Sequence, residues 1–396
     1  MRNEKKLDSV VYLISTLGHG RGGHFQSLNI IANEVSKFSN VYVINIGKNH
    51  SEVLNQSGLN ITNIYFNGYN ILATIYRVYL ELKSKEVSHI HCFDSDSFLF
   101  ARIINAFLPK LKKKPYLILS KCGGPNPTDL MSYCNNMHFM SLENYDYYNE
   151  HHNFSEVNYS LIPNRVSSII NDESIINEIR FSNSDSSATF IHIGRIGITY
   201  RDSFIQSLNL IKHLTDKHHN VRLLVIGVIQ DRFVYEELVD LASKYSNIDF
   251  LTTDKYTIRA SKCIDAADYV IGTGRSVMEG ASKGKVILTP LMNESYPVVI
   301  TDDNFISLFK TNFSPRNHIS FYDEQQSLNK IFDTLNRRDK YIEYSDFMYS
   351  QFLKYFSVES AEDKFKQLYS SCVKHEDSMT CLIKNLAYTL KKYLKR

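Results

Sequence analysis

The 396-residue chain has no tryptophan, so its large aromatic surface falls entirely to 26 tyrosines and 23 phenylalanines. It has almost no net charge. Forty-five basic against 42 acidic residues leave +3, too little to imply a nucleic-acid partner. No uninterrupted apolar stretch approaches the roughly 20 residues of a membrane-spanning helix. The start, MRNEKKLDSVVYLIST, offers only a short apolar run where a secretory segment needs about 7–15 residues. Six cysteines stand at 92, 122, 134, 263, 372 and 381, and none forms a CxxC pair. Zinc ribbons and thioredoxin-type redox motifs are thereby excluded, and the thiols read as reduced and mostly buried. With 43% hydrophobic and 22% charged residues the chain is neither disordered nor fibrous. These absences together predict a cytoplasmic protein that at most touches a membrane surface.

What is present is a repeated grammar. Apolar runs at 10–15, 41–46, 89–93, 116–120 and 137–141 alternate with helical patterns near 25–38, 70–84 and 95–108. Short buried strands separated by helices predict parallel βαβ units. A polar stretch follows Pro163-Asn164, and the grammar then restarts. Strands are expected at 188–194, 221–227, 247–251, 267–272 and 285–290, with helices near 204–214, 232–246 and 276–283. The predicted organisation is a first α/β domain over 1–165, a linker over 166–187, and a second α/β domain over 188–340. Helices follow over 341–375. A tail over 376–396 has a basic amphipathic pattern, with Leu382, Ile383, Leu386, Leu390 and Leu394 on one face. A terminal helix docked on the protein, with its lysines solvated, fits that pattern as well.

Several loops at strand ends carry chemistry. Gly18-His19-Gly20-Arg21-Gly22-Gly23 lies between a strand and a helix, where bare amides suit an anion. A dinucleotide site would want an acid about 20 residues on. Here the second strand runs into Gly47-Lys48-Asn49, so nicotinamide binding is disfavoured. Asp94-Ser95-Asp96 follows the third strand. It reads as a metal-holding pair, a helix cap, or a substrate-facing Asp94. Lys121-Cys122-Gly123-Gly124-Pro125-Asn126-Pro127 forms a rigid loop after the next strand. Cys122 has no neighbour in sequence that would activate it. In the second half, Arg195 and Arg201 flank a strand end, and two guanidinium groups there match a diphosphate. Gly272-Thr273-Gly274-Arg275 opens a helix carrying Glu279 one turn in. Such a carboxylate accepts two hydrogen bonds from a vicinal diol such as a ribose.

Taken in order, these pieces resemble the large retaining family four of glycosyltransferases (glycosyl transferases group 1). Gly22-Gly23 is similar to its N-terminal glycine loop. His91-Cys92-Phe93-Asp94 resembles its histidine-containing strand end, and Leu161 to Val166 (LIPNRV) its I-P-N-G-V. Gly194-Arg195-Ile196 resembles its G-R-L, and Glu279 to Lys285 (EGASKGK) its E-A-M-A-x-G-x. The run from Phe356 to Tyr369 resembles its terminal motif. The resemblance implies a GT-B fold, two Rossmann-like doubly wound domains facing across a cleft, with C-terminal helices returning to the first domain. It implies transfer with retention from a nucleotide-sugar, UDP- or GDP-linked, without a metal or other cofactor. The acceptor would be a glycan or lipid-linked sugar in bacterial surface polysaccharide, capsule or lipopolysaccharide synthesis. Donor-binding residues would be Gly22, Gly23, Arg195, Arg201, Thr273, Gly274, Arg275, Ser276 and Glu279. His24, Asp94 and Lys121 would be the catalytic candidates. The tail 378–396 would meet the membrane.

The chain departs from the pattern twice. Ile271 stands where the family has a second glutamate, eight residues before Glu279. Cys122 stands where the family often has a histidine. These departures keep alive a non-catalytic GT-B-like protein that binds a glycan or a partner. An NAD(P)-dependent oxidoreductase is the remaining alternative.

Overall fold

The computed structural model describes residues 7–16, 20, 22–107, 114–127, 132–152, 154–181, 187–258, 260–374 and 379–394. Expectations placed on Gly18, His19, Arg21, the run 182–186, and the side chains of Leu390 and Leu394 lie outside them. The chain forms two compact units. Unit 1 comprises Met1–Arg165 and Val358–Arg396, and unit 2 comprises Val166–Ser357.

Unit 1 begins β1 (Leu7–Thr16), α1 (Gly23–Val35), β2 (Ser39–Gly47), α2 (Glu52–Asn55), β3 (Asn60–Tyr65), α3 (Ile71–Ser84) and β4 (Val87–Cys92). It continues α4 (Ser95–Phe107), β5 (Tyr116–Lys121), β6 (Asn136–Phe139), α5 (Leu142–Glu150) and β7 (Asn158–Leu161). The seven strands are parallel, in the order β3-β2-β1-β4-β5-β6-β7. Val10 to Ile14 are buried on both faces of the sheet, which is why β1 reads as a continuous apolar run. Right-handed crossovers put α3, α4 and α5 on one face, where Val78, Phe98 and Tyr148 share a core. Leu28 and Ile31 of α1 pack on the other face.

Unit 2 contains α6 (Glu173–Phe181), β8 (Ala188–Ile193), α7 (Arg201–Asp216), β9 (Val221–Ile226), α8 (Arg232–Ala242), β10 (Ile248–Leu251) and α9 (Asp254–Thr257). Then come β11 (Tyr269–Gly272), α10 (Arg275–Ser282), β12 (Val286–Thr289), β13 (Val298–Val299), α11 (Phe305–Lys310), α12 (Glu324–Asn336) and α13 (Arg338–Gln351). Its sheet runs β10-β9-β8-β11-β12-β13, with only β13 antiparallel. The chain then returns to unit 1 as α14 (Glu362–Ser370) and α15 (Met379–Leu394).

Two boundaries differ from expectation. The segment 166–187 is not a free linker. Val166 pairs with Ser357, and α6 buries Ile176 and Ile179 in the core of unit 2. Residues 341–357 also stay with unit 2, where Met348, Phe352 and Phe356 fill that core, so the return begins at Val358.

The return closes a buried polar chain in unit 1. Phe365 and Tyr369 of α14 cover the sheet face carrying Tyr12, His91, Ser120 and His138. His138 Nε2 lies 2.9 Å from the Ile162 carbonyl, which can only accept, so that nitrogen carries the proton. In the neutral ring Nδ1 then accepts from Ser120 Oγ at 3.0 Å. Ser120 in turn accepts from His91 Nε2 at 2.8 Å. His91 Nδ1 accepts from the Tyr369 hydroxyl at 2.9 Å, and that hydroxyl accepts from Tyr12 at 2.6 Å. One carbonyl therefore fixes the direction of every bond. Burial holds both rings neutral: His138 is lowered to about 4, and His91 well below the ordinary histidine value.

Candidate donor and acceptor half-sites

Both sheets reverse their strand order once, and ligands in such sheets bind outside the strand ends at that point. In unit 2 the reversal lies between β8 and β11. Gly272 is in register with Ile193, so Gly194-Arg195 and Thr273-Gly274 leave the sheet side by side. A Cβ at Gly227, just after β9, would lie 2.0 Å from the Gly194 carbonyl, so glycine is required for the β8 loop to turn there.

Arg195 is exposed on that turn. Its Nη2 donates to the Tyr200 hydroxyl at 2.8 Å, and its guanidinium lies 5.0 Å over the Tyr200 ring. Among the described residues no carboxylate pairs with it. Arg201 is held quite differently. Its Nε donates to Glu237 Oε2 at 2.7 Å, Nη2 meets Glu237 Oε1, and Nη1 donates to Asp202 at 2.9 Å. The Glu237 hydrogen bonds raise its pKa further. The expected diphosphate role of Arg201 does not fit this arrangement, because two carboxylates already take its charge and its donors. Arg195 is the available cation. Nothing in the sequence flags Glu237, a helix away.

The start of α10 also differs from expectation. Gly274 sits at φ +53°, in the left-handed region that glycine adopts without strain. Its amide donates to the Phe313 carbonyl at 2.9 Å. The Thr273 amide donates to Ser276 Oγ at 3.0 Å, and the Ser276 amide reaches back to the Thr273 carbonyl at 3.3 Å. The Ser276 amide, expected to face a phosphate, is thus used inside the loop, as are the amides of Thr273 and Gly274. What α10 still presents is the positive pole of its peptide dipoles together with Arg275.

Glu279 is mostly buried one turn further on. Oε1 accepts from Arg275 Nε at 2.7 Å. Burial pushes its carboxyl pKa up, and Arg275 pulls it back toward the charged form. Oε2 has no protein partner among the described residues, which leaves acceptor capacity for a hydroxyl. The structure therefore gathers Arg195, Gly274, Arg275 and Glu279 around the strand ends of unit 2. Arg275 orients Glu279 rather than standing alone.

In unit 1 the reversal lies between β1 and β4. Gly22 caps α1 with its backbone alone, and its carbonyl accepts from Phe25 at 3.0 Å. Gly23 and His24 are exposed on the first turn, with the His24 ring against Phe25. Asp94 ties the strand ends together. Oδ2 accepts from the Ser15 amide at 2.7 Å, and Oδ1 accepts from the Ser15 hydroxyl and from the Ser97 amide at 2.8 Å. It is a helix cap and a clamp onto β1. That occupation argues against both a catalytic and a metal-binding Asp94, and no cluster of three metal ligands occurs among the described residues.

Lys121 ends β5 and reaches the Pro125 carbonyl at 3.4 Å. With Asp94, Ser120, Cys122, Tyr148 and Tyr388 of α15 it lines a cavity of about 150 Å³. His24 does not line it. Burial first, and then the charge of Asp94, push the Cys122 thiol up to about 12, so it is no nucleophile at neutral pH. A larger cavity of about 460 Å³ in unit 2 lies against α6 and β10. Its carboxylates are engaged, Asp249 with Arg222 and Glu178 with Tyr256 and Lys255. The tail helix α15 packs on α4. No helix among the described residues is long and apolar enough to cross a membrane.

No family model matches the chain, and no curated protein matches it in sequence. Solved structures do match in fold. A glycosyltransferase from Rickettsia africae superposes with a TM-score of 0.65 at 13% identity, covering 91% of this chain and 97% of that one. HepE from Anabaena, solved in complex with UDP, gives 0.66 at 13% identity, covering 92% and 100%. The lipopolysaccharide outer core galactosyltransferase WaaB gives 0.58 at 14% identity, covering 91% and 99%. The chain thus has the GT-B fold of these glycosyltransferases, two Rossmann-like units with C-terminal helices returning to the first, as its motifs led one to expect.

Proposed function

We propose that this protein transfers a sugar, with retention, from a nucleoside-diphosphate sugar to a glycan or lipid-linked acceptor in bacterial surface polysaccharide synthesis. The observation that carries the reading is the contrast inside unit 2. Arg195 keeps its charge uncompensated beside the α10 N-terminus, while Glu279 is mostly buried and oriented with one carboxylate oxygen to spare. The first suits a diphosphate and the second a ribose diol. The fold is shared with structures that hold UDP, which favours a UDP-sugar, with GDP the other candidate.

In this reading the bond between the anomeric carbon and the β-phosphate oxygen breaks as the acceptor hydroxyl attacks from the same side. The departing phosphate oxygen takes the acceptor proton. Negative charge grows on the diphosphate, where Arg195 and the α10 dipole stabilise it without rearrangement. No metal or other cofactor enters. Lys121 and the exposed His24 stand on the acceptor side, and the tail 378–396 meets the membrane.

A panel of UDP, GDP, ADP, CMP and NAD(P) tests the proposal by thermal shift, with and without EDTA. One nucleoside diphosphate is expected to raise the Tm whether or not EDTA is present, because ligand bound only by folded protein stabilises it. Glu279→Ala should weaken that ligand while the unliganded Tm stays close to wild type. Unchanged affinity in Glu279→Ala would remove the ribose assignment, and a shift with NAD(P) alone would overturn the whole reading.

A second reading has an observation of its own. The internally bonded amides of α10, with Ile271 and Cys122 at positions the family fills with glutamate and histidine, suit a GT-B-like protein that binds without transfer. It expects no response to any nucleotide in the panel.

A further inference from the structure

Among the described residues of unit 1, large apolar side chains stand in solvent at only two places. One is α3, the loop before it and the end of β3. Tyr65, Tyr69, Ile71, Leu72, Tyr76 and Leu80 are exposed there, Tyr69 to 95% and Leu72 to 83%. The other is α15, at Ile383 and Leu386.

The two places share one face of the sheet. α3 and α15 both pack on α4, which is itself almost wholly buried between them and the strands. The pattern on α3 is the reverse of a docked helix. Thr74, Val78 and Leu82 satisfy the core, while Leu72, Tyr76 and Leu80 form a second apolar stripe facing out. Nothing in the packing of unit 1 calls for that second stripe.

Its surroundings are basic. Arg77 and Lys83 are exposed on the same helix. Of the nearby acids, Glu81 is tied to Lys85 and to Thr62, and Glu86 lies beyond the helix end. α15 contributes Lys384 and Lys391. Leucine flanked by tyrosine rings and long cationic side chains is the composition of a surface that settles into lipid headgroups. The apolar stems enter the acyl boundary, the tyrosine hydroxyls stay wet, and the cations meet anionic phosphates.

We infer that the α3 face of unit 1, together with α15 on the same α4, docks on an anionic lipid bilayer. Attachment therefore does not rest on the tail alone. The inference needs no nucleotide, so its failure would leave the transfer reading untouched.

The test is co-sedimentation of the full chain with vesicles of phosphatidylcholine alone or mixed with phosphatidylglycerol. Wild type is expected to pellet with the mixed vesicles and to be released by salt. A Leu72→Ser/Tyr76→Ser/Leu80→Ser chain should partition about tenfold more weakly or worse. Its Tm should stay close to wild type, since the three side chains are largely outside the core. Arg77→Glu/Lys83→Glu should lose the preference for anionic lipid. Three results would overturn the inference. Wild type could stay in the supernatant with both vesicles. The triple variant could bind like wild type. Or wild type could run as a dimer that the triple variant breaks, which would assign the face to a second copy of the chain.

Discussion

Replacing Arg195 with alanine is expected to cut sugar transfer by about 10²–10³-fold, the usual cost of losing one preorganised charge-stabilising group. The same change at Arg201 should leave transfer within a few-fold of wild type. Both are strand-end arginines of unit 2, and both fit a diphosphate on sequence alone. Their partners separate them. Arg201 spends its fork on Glu237 and its remaining donor on Asp202, so bringing it to a phosphate would first break a bidentate ion pair. Arg195 gives up only a neutral tyrosine hydroxyl and a ring face. Arg201→Ala should instead show in stability, and then by less than about 1 kcal/mol, because its pairs are exposed. The experiment is kcat/KM and nucleotide affinity for the two single variants. Equal losses, or a larger loss at Arg201, would reverse the assignment.

Acid should destabilise this protein well before its carboxylates titrate. His138 and His192 are lowered by burial to about 4 and about 3, and His91 is lowered strongly as well. A base whose pKa falls on folding binds its proton more readily in the unfolded chain. Stability is therefore complete above about pH 6.5, the unfolded histidine value, and is lost as pH falls toward the folded values. The slope is about 1.4 kcal/mol per pH unit for each ring held neutral. Among the described residues, His91 and His138 are such rings in one hydrogen-bonded chain of unit 1, and His192 is one in unit 2. The loss should thus be steeper in unit 1, which urea unfolding between pH 7 and 4.5 would resolve if followed by probes in each unit.

The hydrogen-bond direction in unit 1 sharpens this expectation. With His138 Nε2 and His91 Nε2 already donating, a proton added to either ring must go on Nδ1. There it faces the hydroxyl hydrogen of Ser120 or Tyr369, and the rest of the chain has to turn round. Tyr369→Phe should lower stability at neutral pH, because it leaves both Tyr12 and His91 without their partner. Each buried orphan costs about 1–3 kcal/mol. A flat stability curve between pH 7 and 5 would mean that none of these rings is held neutral in the folded protein.

The central strands were legible because burial on both faces writes an unbroken apolar run, as in VVYLI or VRLLVIG. The edges were not. β3 is NITNIY with only Ile64 buried, and β7 is four half-buried residues, NYSL, so neither carries a periodic signal. α6 was hidden by the polar run that follows it, although Ile176 and Ile179 have helical spacing. At the half-sites the sequence supplied the loops and the residue types. It could not supply the pairings that decide roles. Glu237 removes Arg201 from service, Phe313 takes the Gly274 amide, and Ser15 and Ser97 occupy Asp94. Each is a tertiary neighbour that spacing does not announce. The alternative of a helix cap at Asp94 was readable, since its distance to Ser97 is that of a cap to its third residue.

The division of the chain has a consequence for the order in which the protein is made. Unit 2 is one continuous segment, and its last core residues, Phe352 and Phe356, leave the ribosome together with the end of that segment. Unit 1 is written first and finished last. Until α14 emerges, Tyr12 and His91 lack the Tyr369 hydroxyl, and the sheet face above them lacks Phe365. The first half of the polypeptide must therefore wait, partly uncovered, while some 190 residues of its neighbour are synthesised. A nascent chain halted after residue 357 is accordingly expected to hold a protease-resistant unit 2 beside a unit 1 that is still digestible.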